Sequence, residues 1–470
     1  MIGRDQRAVV MRCTATNITP ADEIDRWQPT TEAPGLIPGK DLAAAGGLTV
    51  VNGGSEREIP VIGAVPFTLP TTEDGMSGPL TYIPADQPIT EANAAGRIVI
   101  RELPHVAIPY TTLRGLGHYV TDDVPTDGAF DRPYARALDS VLIDAGKANA
   151  AGVVMVWDAP TDQLRGYWDP HTGTRFHVPG VYVGIDQLAA LQELAGAGAT
   201  GRVVVRAEWE VARTRNLIAT LRGRSRERIV INTNTDSVNW VQENGVVAAV
   251  ALARYLGGLP QHCRKRDVQF AMTTNHLGFT TDGVFRYGAQ LDEDYDDGTV
   301  AFVMALEHLG AREILLAGPD NRLEVTGAGE LFVWSAPDES PVLVEASVDA
   351  AQRRGLGRTA VLRGLGAPSA DRVPSICSQG GLGTVFHGLL IPTIAGISGP
   401  WSLWAPAFGE DAIDFDRMRD QTLAFGDIAL QLDDVSRREI AGAYLTARQR
   451  RAAGTPTCDL TPPPAVAPRE

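Results

Sequence analysis

The sequence predicts an α/β protein with a doubly wound, mainly parallel sheet in its second half and a smaller α/β unit before it. Two patterns carry this expectation. Apolar runs bounded by turn signals, such as "RIVINTN", "RDVQFAMTTN" and "LLIPTIAGIS", alternate with helical patterns such as "GVVAAVALARYLGGL". Such alternation marks strands covered by helices on both faces. The first half carries a shorter series of strand, helix and strand, and 470 residues exceed what one ordinary core encloses.

Taken in order, residues 1–60 form an N-terminal segment expected to pack on the larger domain, with "TPADEIDRW" a short helix capped by Thr19. Residues 61–210 form the smaller unit. Within it "PLTYIPADQPITEANAAGRIVIRELP" gives two short strands around a polar loop, and "YTTLRGLGHYVTDDVPTDGAFDRPYA" reads as a long loop. "SVLIDAGKANAAGVVMVWD" follows as helix and strand, then "VPGVYVGIDQLAALQELAGAGATGRVVV" as strand, helix and strand. His105, His118, His171 and His177 fall here and read as loop or surface residues. Residues 211–450 form the doubly wound domain, ending in helices, and the proline-rich stretch within 451–470 reads as a disordered tail.

Composition narrows the function classes. A hydrophobic content of 44% with 21% charged residues describes a soluble globular chain. The net charge of -15, with no basic stripe to offset it, argues against nucleic acid and anionic membranes as partners. The densest basic run, "RGRSRER", reads as a solvated turn before a strand. No apolar run reaches membrane-spanning length and the N-terminus shows no leader pattern, so the expected location is cytoplasmic. Cys13, Cys263, Cys377 and Cys458 lack any paired spacing, which makes reduced thiols the default. There is no G-x-S-x-G elbow, no Walker loop and no G-x-G-x-x-G after a strand.

The stretch "INTNTDSVNWVQENG" is where chemistry concentrates. A strand stops on Asn234, Asp236 and Glu243 just before a helix begins, the place where α/β folds put their sites. Asp236 also reads as a loop cap, and Glu243 with Asn244 as a helix N-cap pair.

Three stretches, "GRIVIRE", "AGKANAAGVVMVWD" and "VPGVYVGIDQLAALQ", resemble a protease-associated domain. With "NLIATLRG", "NTD", "ENG", "TTNHLGF" and "IPTI" in order, roughly residues 60–410 resemble the zinc aminopeptidase family. That family includes glutamate carboxypeptidase and, without catalysis, the transferrin receptor and nicastrin. The resemblance implies two zinc ions on a shared carboxylate, polarising an amide and generating hydroxide. It also implies that this site is degenerate. Asn234 stands in place of the family's first histidine ligand, and an amide binds zinc far more weakly. Asp236 keeps the orienting carboxylate, and Glu243 takes the place of the bridging aspartate. Asn275 replaces the general base, and His276 the glutamate ligand that follows it. Glu307 best fits the next family carboxylate. No histidine stands at the last ligand position. His308 and His387 read as ordinary polar residues turned away from the site.

The resemblance leaves room for one divalent metal, zinc, on Glu243, His276 and Glu307. As a catalytic set it nominates His276, Glu243, Glu307 and Asp236. Substrate contacts are expected from Asn234, Asn244, Asn275, His387 and Trp401, the last as an aromatic wall or a core corner. The functional expectation is a divergent aminopeptidase-fold enzyme acting on a small molecule or peptide-like ligand. Its chemistry would be hydrolysis, or repurposed acid/base work such as cyclisation or elimination, with His276 its most sensitive residue. The alternative is a binding or scaffold protein that has lost the metal site. Partner expectations extend to a second copy of the chain, as a homodimer.

Overall fold

The computed structural model describes residues 22–31, 41–135, 138–169, 175–236, 239–275 and 282–460. Two eight-stranded sheets dominate them. The one in the larger domain, hereafter the larger sheet after its domain, holds a parallel block in the order Asp267–Thr273, Arg228–Asn234, Val300–Leu306, Thr393–Ile397. Leu217–Leu221 borders the block antiparallel on one side. On the other side Phe332–Ser335 and Thr359–Leu362 run against it, parallel to one another. The central Val300–Leu306 strand is buried along its whole length, which explains its unbroken apolar run. Helices Asn244–Gly257, Pro341–Arg353 and Phe415–Leu432 pack on one face. Val284–Asp296 and Gly383–Gly388 cover the other, around Val230, Val303, Leu291 and Phe386. The expected doubly wound architecture is present.

The smaller sheet is built around four parallel strands, Met76–Tyr82, Ile98–Leu103, Gly152–Trp157 and Gly180–Gly184. Thr200–Val205 pairs antiparallel with the first of these and with Gly46–Asn52. Gly46–Asn52 and Ser55–Ile59 therefore belong to the smaller sheet, not to a segment resting on the larger domain.

Other expectations are also corrected. Asp22–Pro29 is a strand, not a helix. It pairs antiparallel with Ala207–Thr214, placing Trp27 opposite Trp209, and the buried Trp27 indole donates to the Thr68 carbonyl. Local helix propensity yields here to pairing and aromatic burial. The stretch read as one long loop contains Gly117–Val120 and Ala129–Ala135. Gly117–Val120 adds the last strand to the edge of the larger sheet, antiparallel to Thr359–Leu362. The strand Arg312–Ala317 joins neither large sheet and forms a hairpin with Arg322–Gly329. Cys377 and Cys458 are joined in a disulfide across 81 residues, so the expectation of reduced thiols fails for this pair. Spacing gave no hint because the partners meet only after the chain has folded. Residues 455–460 are ordered around that bond, and 461–470 lie outside the described residues. No helix among the described residues is long and apolar enough to cross a membrane.

The two sheets meet at the loop that follows Thr393–Ile397. Trp401 and Trp404 are buried there, Trp168 N–H donates to the Trp404 carbonyl, and the Trp401 ring packs on Trp157. His105 stands edge-on to Trp401 and donates one ring N–H to Asp158 and the other to Asp131, 3.3 Å away. Its expected reading as a plain surface residue misses this role. The two carboxylates raise its pKa to about 9. A histidine whose folded pKa is raised stabilises fully below its unfolded value near 6.5, and that contribution is lost as pH rises through about 9. Unfolding free energy should therefore fall between these limits by on the order of 2 kcal/mol, allowing for solvent screening of a part-exposed cluster. His105→Gln should flatten the decline in denaturant melts across that range, and a variant that kept the parent's slope would refute the assignment.

Candidate functional site

Strand register brings the site together. Val230, Ala271, Val303 and Ala395 all face the Phe386 side of the larger sheet. Alternation then carries Asn232, Asn234, Thr273 and Glu307 onto the same face at the carboxyl ends. Asn234 lies level with Thr273, and continuing the register from Asn232 opposite Ala305 sets it beside Glu307. This is the end of a parallel sheet where α/β proteins gather ligands.

Asn234 is fully buried, and neither atom of its side-chain amide has a hydrogen-bond partner. Next to it, Asn232 donates to the Ala271 carbonyl at 2.9 Å and to Thr273 Oγ1 at 3.1 Å, leaving its own Oδ1 unpaired. Glu307 is buried, and its Oε2 accepts the Leu382 N–H at 2.8 Å. A Cβ on the preceding residue, Gly381, would stand 1.8 Å from that oxygen, so the Gln379–Leu382 loop closes directly over the carboxylate. Asp236 and Glu243 lie beyond the Arg228–Asn234 strand, both half-buried, with Glu243 at the N-cap of the Asn244–Gly257 helix.

The remaining expected residues have more structural settings. Asn244 donates to the Leu309 carbonyl at 2.5 Å and accepts the Leu309 N–H at 2.9 Å, so its amide is spent joining helix to strand end. Asn275 is buried with φ of 61°, a conformation asparagine tolerates better than most residues, and donates to the Asp282 carbonyl at 3.4 Å. His276 lies outside the described residues. Asn216 accepts the Thr274 N–H at 3.1 Å and donates to the Gly283 carbonyl at 2.9 Å, joining two described residues on either side of it. His308 donates from Nδ1 to the Ser398 carbonyl at 2.6 Å, and the Ser398 hydroxyl returns a bond to the His308 carbonyl.

His387 is fully buried against the C-terminal helix Tyr444–Ala452, bonded through Nε2–H to the Ile376 carbonyl and through Nδ1 to the Tyr444 hydroxyl. Burial depresses its pKa to about 4, so it stays neutral and structural. Its proposed contact with a ligand has no support in this geometry. Trp401 is a core corner, the second of the two readings offered for it.

Sequence reasoning missed Asn239. It caps the turn before the helix by accepting the Val241 and Gln242 N–H groups, and it donates to the Ser402 and Leu403 carbonyls. One side chain thus ties the Asp236 loop to the loop that carries Trp401. An asparagine five residues ahead of the helical start, opening the turn that leads into it, was the available signal.

A two-zinc centre does not suit these donors. Amides hold the positions of Asn234 and Asn275, and one oxygen of Glu307 is committed to a backbone N–H. Among the described residues, no group of three histidine, cysteine, aspartate or glutamate side chains could hold a metal ion. The set Glu243, His276 and Glu307 includes a residue outside that description.

No family model and no curated protein matches the chain. Solved structures do match it. A peptidase M28 precursor from Shewanella amazonensis SB2B superposes with a TM-score of 0.56 at 13% identity, covering 90% of this chain and 85% of that one. A zinc aminopeptidase from Bacillus subtilis gives 0.53 at 15% identity over 90% and 87%. An aminopeptidase from Aneurinibacillus sp. strain AM-1 gives 0.51 at 16% identity over 88% and 83%. The fold is aminopeptidase-like.

Gly381→Ala tests the closure over Glu307. The new methyl group would meet the carboxylate from a backbone held at φ of 51°, so the variant should lose about 3 kcal/mol of stability. Urea melts should show this at pH 7, and a variant as stable as the parent would mean the loop yields at no cost.

Proposed function

We propose that the chain uses an aminopeptidase-like fold to bind a small peptide-like ligand at the carboxyl ends of its parallel strands, without the two-zinc hydrolysis of the family it resembles. The observation that carries this is Asn234. A buried amide with neither donor nor acceptor satisfied costs on the order of 1–3 kcal/mol per group, and a complementary amide on a ligand would recover it. Glu307, Asp236 and Glu243 place negative charge at the same end of the sheet, which favours a cationic group such as a free amino terminus. Asn275, where the family has its general base, cannot accept a proton from water.

A second reading is favoured by one observation, the link Asn216 makes between Thr274 and Gly283, on either side of His276 in the sequence. Here His276 is the acid/base group, positioned by Glu243, Glu307 and Asp236, in a hydrolysis, cyclisation or elimination without the usual metal pair.

Elemental analysis of zinc-loaded protein should find fewer than two tightly held ions per chain, with no release from aminoacyl anilides. Two bound zinc ions with metal-dependent release would overturn the proposal. Calorimetric titration with free-amino dipeptides should show binding that Asn234→Ala weakens about tenfold, as loss of about 1.4 kcal/mol implies. A folded Asn234→Ala variant that binds like its parent would remove the argument. Turnover abolished in His276→Ala with dipeptide binding intact would make the second reading the correct one.

A further inference from the structure

The loop over Glu307 is held from behind by the C-terminal segment. Upstream of Gln379–Leu382 the chain runs through Ser369, Val373 and Cys377 before it reaches the carboxylate. Val373 N–H donates to the Pro456 carbonyl and bridges Thr457, the Arg450 side chain donates to the Ala370 carbonyl, and Cys377 is bonded to Cys458. Backbone pairing within the loop is limited to Leu365 N–H with the Ser378 carbonyl and Ser369 N–H with the Ser375 carbonyl. Side chains add the His387 bond to the Ile376 carbonyl, the Gln379 N–H bond to Thr384 Oγ1 and the Leu382 N–H bond to Glu307. The helix Tyr444–Ala452 is fixed separately. Arg448 donates to Asp292 and Asp296, and Arg451 donates to Asp292. The disulfide is thus the one covalent link between an independently anchored C-terminus and the approach to the site. Cys458 is buried and Cys377 partly buried, so a reductant would approach the bond from the Cys377 side.

We propose that Cys377–Cys458 is a redox-sensitive clamp that keeps the Gln379–Leu382 loop closed over Glu307, and that a dithiol reductant opens it. One thiolate of the reductant attacks Cys377 Sγ, the bond between the two sulfurs breaks, and Cys458 leaves as a thiolate that takes a proton. The reductant's second thiol then displaces Cys377 as its thiol and closes as a cyclic disulfide. Two electrons and two protons pass to the protein. The loop then loses its one covalent tie and is left with the hydrogen bonds named above, while Arg448 and Arg451 hold the C-terminal helix in place. Any effect on a ligand rests on the proposed peptide-binding reading; the opening of the loop does not.

The test is hydrogen exchange of the full chain, first as purified without reductant, then after dithiothreitol and after reoxidation. Peptides over residues 365–382 should exchange at least tenfold faster when reduced and recover on reoxidation, with the Leu382 amide among them. Peptides over 228–234 and 300–306 should not change. Cys458→Ser should reproduce the reduced pattern without reductant, and Cys263→Ser should not. Uniform acceleration across the chain, or none in the loop, would overturn the clamp. So would reactive thiols at Cys377 and Cys458 in protein that has never met a reductant. None of these outcomes involves a dipeptide, so failure of the clamp and failure of the ligand reading are read separately.

Discussion

Parallel hydrogen bonding of Arg228–Asn234 to a neighbour on each side is the constraint from which the site follows. Asp267–Thr273 and Val300–Leu306 flank it, and Thr393–Ile397 extends the ladder. With the register fixed, the last residues of these strands arrive at one level, and alternation decides which side chains share a face. A slip of one position would turn Asn234 and Glu307 to the opposite face, against the Asn244–Gly257 helix. There Gly245 lies against Thr233 so closely that a Cβ would come within 2.1 Å of its hydroxyl.

On that frame, asparagines do two kinds of work. Asn216, Asn239 and Asn244 each use both ends of the amide to join segments distant in sequence. They act as short rigid staples where loops must pack without regular backbone pairing. Asn234 joins nothing. Asn232 and Asn275 also donate to neighbouring backbone, and among these asparagines Asn234 alone leaves both ends of its amide unspent. That contrast separates it from scaffolding more clearly than its position in a motif does.

Much of the larger domain was legible because its parallel strands are buried on both faces and so appear as unbroken apolar runs, as in Val300–Leu306. The position at which one such run ends was legible for the same reason, which singled out Asn234, whereas Asn275 and Glu307 were nominated by the family resemblance and also follow strand ends. What failed was whatever depended on partners far away in the chain. Asp22–Pro29 carries a locally helical pattern but pairs with a strand beyond residue 206, and Gly117–Val120 is too short to declare itself without Thr359–Leu362. Nothing near Cys377 announces Cys458. At the site, sequence could name which residues stand at strand ends but not which amides were already satisfied, since that is settled by carbonyls such as those of Leu309 and Ser402.

The edge strand Gly117–Val120 also bears on the order in which the molecule can be assembled. It lies among residues that otherwise build the smaller sheet, yet its partner is about 240 residues later in the chain. During synthesis this strand leaves the ribosome long before its partner does, and must wait unpaired until the far side of the larger sheet exists. Closing so long an interval is entropically slow, which makes it a late event in folding. The smaller unit, excised at any boundary between the sheets, would carry an orphan strand, and the larger one would expose the backbone of Thr359–Leu362 as an adhesive edge. The chain is therefore modular in its sheets but not in its folding, and fragments cut between them should aggregate rather than stand alone.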